Sequence, residues 1–185
     1  MAAQIVIPDA TAAPDAYVQA LLETLGDRDP IAVYGETPEE VSEQCQALRD
    51  DAWHVPLGSG EWSAYQLVGH LLDVDIVYGF RWRLILTAET PSYPGYDERA
   101  WAGLPKAAPD DLLAAFVALR SANLALVRSL TPQDRRRRGI HGEQGSEDVG
   151  LMIRKIAGHD LAHRDQLRRT VEHVTAGQHP GGIDR

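Results

Sequence analysis

The sequence predicts an all-α protein, a four-helix bundle with a short extra N-terminal helix. Three observations carry this. Segments with apolar residues at three- and four-residue spacing alternate with proline- or glycine-rich breaks at 26–30, 54–60, 91–95, 103–109 and 139–145. Alternation of polar and apolar residues is nowhere sustained, so no sheet is expected. A chain of 185 residues suits one domain, 1–185. It can bury about 70% of the surface its unfolded chain exposes, enough to fold without a disulfide or a structural metal.

The elements follow in order. Pro14 opens a short helix that runs to Leu25, placed where its missing N–H does no harm. Thr37-Pro38-Glu39-Glu40 reads as a capping box with proline at the first helical position, starting a second helix that reaches about Ala52. Ser63-Ala64-Tyr65-Gln66 is another capping box and opens a long helix to about Ala88. A fourth segment spans about Asp110 to Leu130. A fifth starts near Ser146, with Glu147 and Asp148 against the positive end of the helix dipole, and runs to about Val174. The ends, 1–13 and 175–185, are expected to be flexible. The loops at 53–62 and 89–109 exceed what a minimal bundle needs, so a crossover or the wall of a site is expected there.

Composition excludes several function classes. The chain is 44% hydrophobic and 24% charged, with a net charge of −9. Such a surface repels phosphate backbones, so nucleic acid is not an expected partner. The run Arg135–Arg138 is short for a basic patch and reads as a solvated helix end or loop. No uninterrupted run of about 18 apolar residues exists, so no membrane span is expected. The start, MAAQIVIPDATAAPD, lacks the basic and apolar regions of a secretory signal. A lone cysteine, Cys45, fits a cytoplasmic protein and reads as a small, half-exposed or buried hydrophobe.

The chemistry concentrates on histidine. His159 and His163, in AGHDLAHRDQ, are four apart and share a helix face. Met152, Ile156, His159, His163 and Gln166 form one stripe, continued by Leu167 and Thr170, and its apolar members point it inward. Arg154, Asp165, Arg168 and Arg169 lie on the opposite, wet side. His70 repeats the pattern, on a stripe with Leu67, Val74 and Val77. Three neutral imidazoles are good ligands for zinc, nickel or iron and leave coordination positions open. The same spacing also suits core histidines with one hydrogen bond each. His54, His141, His173 and His179 lie in loops or near the end and read as solvent-facing. Asp160 stands where H-E-x-x-H proteases carry glutamate, and it points about 100° away from its neighbour His159.

GEWSAYQLVGHLLDVD, followed some ninety residues later by AGHDLAHRDQ, resembles the DinB/YfiT-like superfamily of metalloenzymes. The tryptophan-serine pair before a long helix, the G-H-L-x-D core and the closing H-D-L-x-H carry the likeness, and LGDRDPIAVYGETPEE is similar too. It covers roughly residues 20–170. The resemblance implies a four-helix bundle with a divalent metal, nickel or zinc, in a cavity at one end, held by His70, His159 and His163. It also implies a homodimer, and activities that range from transfer of low-molecular-weight thiols such as mycothiol or bacillithiol, including a maleylpyruvate isomerase, to hydrolysis.

The expected function is therefore a metal-dependent enzyme acting on a small molecule. Thiol transfer to an electrophile comes first. Metal-assisted hydrolysis and a non-catalytic metal-binding or stress-response protein are the alternatives. Asp73, one turn from His70, is the candidate base or ligand-orienting carboxylate. It also suits a surface pair with Arg81 or Arg83. Arg81, Arg83 and Arg154 could receive the carboxylates of a thiol but read individually as surface arginines. Trp53, Trp62, Trp82, Trp101, Tyr93 and Tyr96 could wall a pocket or fill the core.

Overall fold

Helix α1 (Pro14–Leu25) has the predicted ends, and the following helix does not. The computed structural model describes Ile5 and residues 7–177. Helix α2 spans Pro30–Cys45, because Asp29 caps it: its carboxylate accepts from the Ile31 N–H at 2.8 Å and from Ala32, with Pro30 at the first position. Thr37 is not a cap. Its hydroxyl donates to the Val33 carbonyl at 2.8 Å, one turn back. Pro38 thus sits inside the helix and has no N–H to offer the Tyr34 carbonyl. That carbonyl instead accepts from Arg120 at 3.1 Å.

Helix α3 (Ala64–Thr87) begins with the predicted capping box, Ser63 and Gln66 each bonding the other's backbone N–H. After it come a two-residue strand β1 (Ser92–Tyr93) and a short helix α4 (Glu98–Ala102). Helix α5 (Pro109–Ser129), the turn α6 (Pro132–Arg135), strands β2 (Arg138–His141) and β3 (Gly145–Asp148), and helix α7 (Val149–Gly177) complete the described residues. Asp148 caps α7, its carboxylate accepting from the Leu151 N–H at 2.7 Å. The expected acidic first turn is therefore strand and cap. The predicted frayed tail lies, beyond residue 177, outside the described residues.

The small sheet, in order β1-β2-β3, corrects the expectation of no strands. β2 and β3 form a hairpin, while β1 joins β2 in parallel, Tyr93 opposite His141. Strands of two to four residues are too short to show a period. The arginine run before the hairpin is also more than solvated: Arg137 donates to the Ile85 and Ala88 carbonyls, both at 2.9 Å, and closes the C-terminal end of α3.

Helices α2, α3, α5 and α7 make the four-helix bundle. α7 packs on α2 and α3, α5 packs on the same two, and α1 covers α7. Successive helices α2 and α3 therefore lie across the bundle, joined by the 46–63 crossover. α5 is long and apolar enough by composition to cross a bilayer, but its middle carries buried Arg120 and Asn123 facing the bundle interior.

Among the described residues the core divides into two large apolar clusters, one around Tyr34, Trp82, Ile85, Met152 and Ile156, the other around Trp53, Leu67, Leu71, Phe116 and Leu167, and a small third of Leu25, Val33 and Ala157. Arg120, fully buried, ties the bundle together. It donates to Asp75 of α3 at 2.7 Å, to Asp160 of α7, and lies 3.8 Å over the Tyr34 ring of α2. Burial opposes its charge, but Asp160 and Asp75 outweigh that and raise its pKa. Asp160, read in sequence only as a non-ligand, thus has a structural partner. Cys45 is buried, which pushes its thiol up to about 12 and leaves it inert.

Candidate metal centre

The packing of α3 on α7 brings the three predicted histidines together. Nε2 of His70 and Nε2 of His159 are 2.9 Å apart. One nitrogen from each of His70, His159 and His163 lies within 4.8 Å of the others. The helical stripes supplied the direction, and the capped start of α3 supplied the register.

All three rings are neutral at neutral pH. Burial, followed by the charge of the neighbouring histidines, drives the pKa of His70 and His159 well below 6.5. Burial takes His163 down to about 4, against a small opposing effect of Gln166. Neutral imidazole is the form that binds a metal. The tautomer of His163 is fixed from outside. Gln166 Oε1 lies 3.0 Å from its Nδ1, and the Gln166 amide group reaches Glu61 at 3.4 Å. The His163 proton therefore sits on Nδ1 and the Nε2 lone pair is free. Nδ1 of His70 and of His159 is buried without a protein partner, so Gln166 is the one anchor of the cluster among the described residues. Three neutral nitrogens within ligand reach, one with its lone pair pre-set, fit a divalent ion such as zinc or nickel.

His159 and His163 line a cavity of about 740 Å³. Trp62, from the loop expected as a site wall, covers the cluster: its ring centre is 4.8 Å from His70 and 6.1 Å from His163, nearly parallel to the latter. The 89–109 loop supplies Tyr96, Asp97 and Glu98 to the cavity wall. The N-terminal stretch, expected as a loose end, contributes Ile5, Ile7 and Pro8.

The other predicted residues separate. Asp73 is buried beside His70 but is not part of the cavity lining. Its carboxylate pairs at 2.9 Å with Lys106, not with Arg81 or Arg83, and Lys106 Nζ also donates to the Trp101 carbonyl. Arg81 is no surface arginine: it is 5% exposed and lines the cavity. Arg83 turns to α5, donating to Asn123 at 2.9 Å, and Arg154 is exposed away from this cavity. Trp53, Trp82 and Tyr93 are core, and Trp101 packs on Tyr96. His54 and His173 are exposed as expected, His179 lies outside the described residues, and His141 is instead buried in the cavity wall.

Sequence reasoning missed the roles of Gln166, His141 and the buried pair Lys155–Glu147. Gln166 was legible as a member of the inward stripe, three residues after His163. The rest needed the β-hairpin, whose placement no local pattern announces.

Residues 34–167 match the model of the DinB superfamily. The Bacillus subtilis protein named "putative metal-dependent hydrolase YfiT" is 31% identical over 147 residues, covering 75% of this chain and 82% of its own. A Bacillus mycoides protein of the same description is 28% identical over 149 residues, covering 80% and 86%. The solved structure of YfiT, described as a four-helix bundle of unusual topology, superposes with a TM-score of 0.72 at 28% identity over 77% of this chain and 84% of that one.

Proposed function

The chain belongs to the DinB superfamily, and on that footing we propose that it is a metal-dependent enzyme in which His70, His159 and His163 hold a zinc or nickel ion and a low-molecular-weight thiol is transferred to a small electrophile. The observation that carries this is the convergence of three neutral imidazoles, two of which, His159 and His163, line a cavity sized for a small molecule. A divalent ion at such a site lowers the pKa of a thiol or a water that reaches it.

The protein's own groups favour the thiol. Asp73, the carboxylate one turn along α3 from His70, is engaged by Lys106. It acts as a positioning residue, tying the segment before α5 across α3 beside His70, rather than as a proton acceptor for water. A thiol needs no such base once ionised: its sulfur bonds the electrophilic carbon, the leaving group departs with its electron pair, and the thiol proton passes to solvent. Trp62 stacks beside His163, and Gln166 keeps the His163 lone pair available.

Hydrolysis is the second reading, favoured by the names of the relatives. In it, Glu61, which lines the cavity and lies 3.4 Å from the Gln166 amide nitrogen, would be the carboxylate that takes a proton from water. The test is a paired assay of metal-loaded protein. Thiol consumption with an aryl halide is followed beside hydrolysis of an ester and amide panel. Thiol-dependent product that vanishes in His159→Ala supports the first reading. Hydrolysis without thiol, lost in Glu61→Gln, replaces it with the second.

A further inference from the structure

Three turns along α3 from His70, about 16 Å of axis, the same cavity holds a buried cation with no carboxylate in direct contact. Arg81 is 5% exposed, yet among the described residues no carboxylate lies within salt-bridge distance. One of its N–H groups donates to the Pro94 carbonyl at 2.7 Å, and the guanidinium lies 5.0 Å from the centre of the Tyr93 ring. The nearby carboxylate Glu147 is already committed, to Lys155 and to the Tyr93 hydroxyl at 2.9 Å. A buried charge is ordinarily paired, and among the described residues Arg81 has only Glu98, in the same wall and within reach of its charge, as a carboxylate not committed elsewhere.

His141 stands in the same wall. Its Nδ1 accepts from the backbone N–H groups of Glu143, at 3.1 Å, and Gln144, at 3.3 Å. The ring proton is therefore on Nε2, which has no acceptor among the described residues. Burial, and then the charge of Arg81, hold the ring neutral by moving its pKa down to about 4. With Glu98 protonated, the wall thus offers one positive charge without a carboxylate in contact and one neutral N–H donor. That set balances a monoanion and undercharges a phosphate dianion.

We propose that Arg81 and His141 form a carboxylate-binding subsite, which anchors the acidic end of an elongated substrate whose other end reaches the three histidines. The substrate class is a small carboxylic acid or a thiol that carries a carboxylate. Only the placing of the reacting end rests on the proposed function; the subsite itself needs no metal. Glu98 shares the wall and opposes the ligand when ionised, although burial lifts its pKa to about 7.

The test measures binding of hexanoate and of the uncharged hexanamide to the full chain by ligand-detected NMR, metal-free and metal-loaded. The expected result is hexanoate binding with and without metal, at least tenfold weaker in Arg81→Gln, kept in His159→Ala, tightened in Glu98→Gln, and absent for hexanamide. Equal affinity of hexanoate and hexanamide overturns the subsite, as does undiminished binding to Arg81→Gln. So does binding lost in His159→Ala but kept in Arg81→Gln, since the anion then sits at the histidines. If circular dichroism shows Arg81→Gln unfolded, Arg81→Lys and Glu98→Gln decide: no weakening in the first and no tightening in the second overturns the proposal. Loss of the metal reading is scored separately, by elemental analysis of the same samples.

Discussion

Nε2 of His70 and Nε2 of His159 meet at 2.9 Å, although the residues stand 89 apart in the chain. Two neutral rings at that distance can share one proton or turn two lone pairs toward a cation. With His163 beside them, only the cation uses all three nitrogens.

Tag-free protein purified without chelator and supplied with zinc or nickel is expected to carry one ion per chain. His70→Ala, His159→Ala and His163→Ala each lose it while keeping the helical circular-dichroism spectrum. Elemental analysis checks this; a full complement of metal in any of the three removes that residue from the centre.

Gln166→Leu removes the acceptor that holds the His163 proton on Nδ1. Loss of such an orienting partner typically weakens metal binding about 10- to 100-fold. Competition against a chromophoric chelator reads the change, and an affinity equal to the wild type rules out the orienting role.

Arg120→Met leaves Asp75 and Asp160 buried without their cation. Breaking such a pair costs about 3–5 kcal/mol. Urea unfolding monitored by tryptophan fluorescence reports it. The double variant Asp75→Asn with Asp160→Asn in the Arg120→Met background should recover part of the loss, because it removes the stranded charges.

At Gly158 a methyl group would collide with the carbonyl oxygen of Leu21, where α1 crosses α7. Because the obstacle is backbone, the two helices must separate. Gly158→Ala is expected to destabilise by about 1–3 kcal/mol, the usual range for overpacking. An unchanged melting temperature means that α1 is not held on α7 as described.

His141 supplies a pH dependence. Burial first, then Arg81, depress its folded pKa to about 4, against about 6.5 in an unfolded chain. Between these values the unfolded chain binds the extra proton, so the contribution is complete above about 6.5 and is lost as pH falls toward 4. Metal-free wild type should lose more stability between pH 7 and 4.5 than His141→Asn. Parallel profiles from urea titrations at each pH would show that His141 is not buried in its neutral form.

Local signals were legible where they had no competitor. Pro14, the Ser63–Gln66 box and the apolar period of α5 all match the folded ends. The start of α2 was misread because two cap signals, Asp29-Pro30 and Thr37-Pro38, lie on one helix, and packing decides between them. The proline left inside frees the Tyr34 carbonyl for Arg120, a consequence visible only with α5 in place.

The sequence by itself determined the helical faces, the inward direction of His70, His159, His163 and Gln166, and the family likeness. All of these depend on residues within a few turns of one another or on a motif quoted whole. Only the tertiary structure decided that the two histidine stripes meet and that Asp73 faces Lys106. It also decided that Arg81 and His141 lie in a cavity wall while Arg83 faces α5. The reason is physical: whether a charge or a ring is buried, and in which protonation state, is set by partners that arrive from distant parts of the chain, and spacing along one helix carries no information about them.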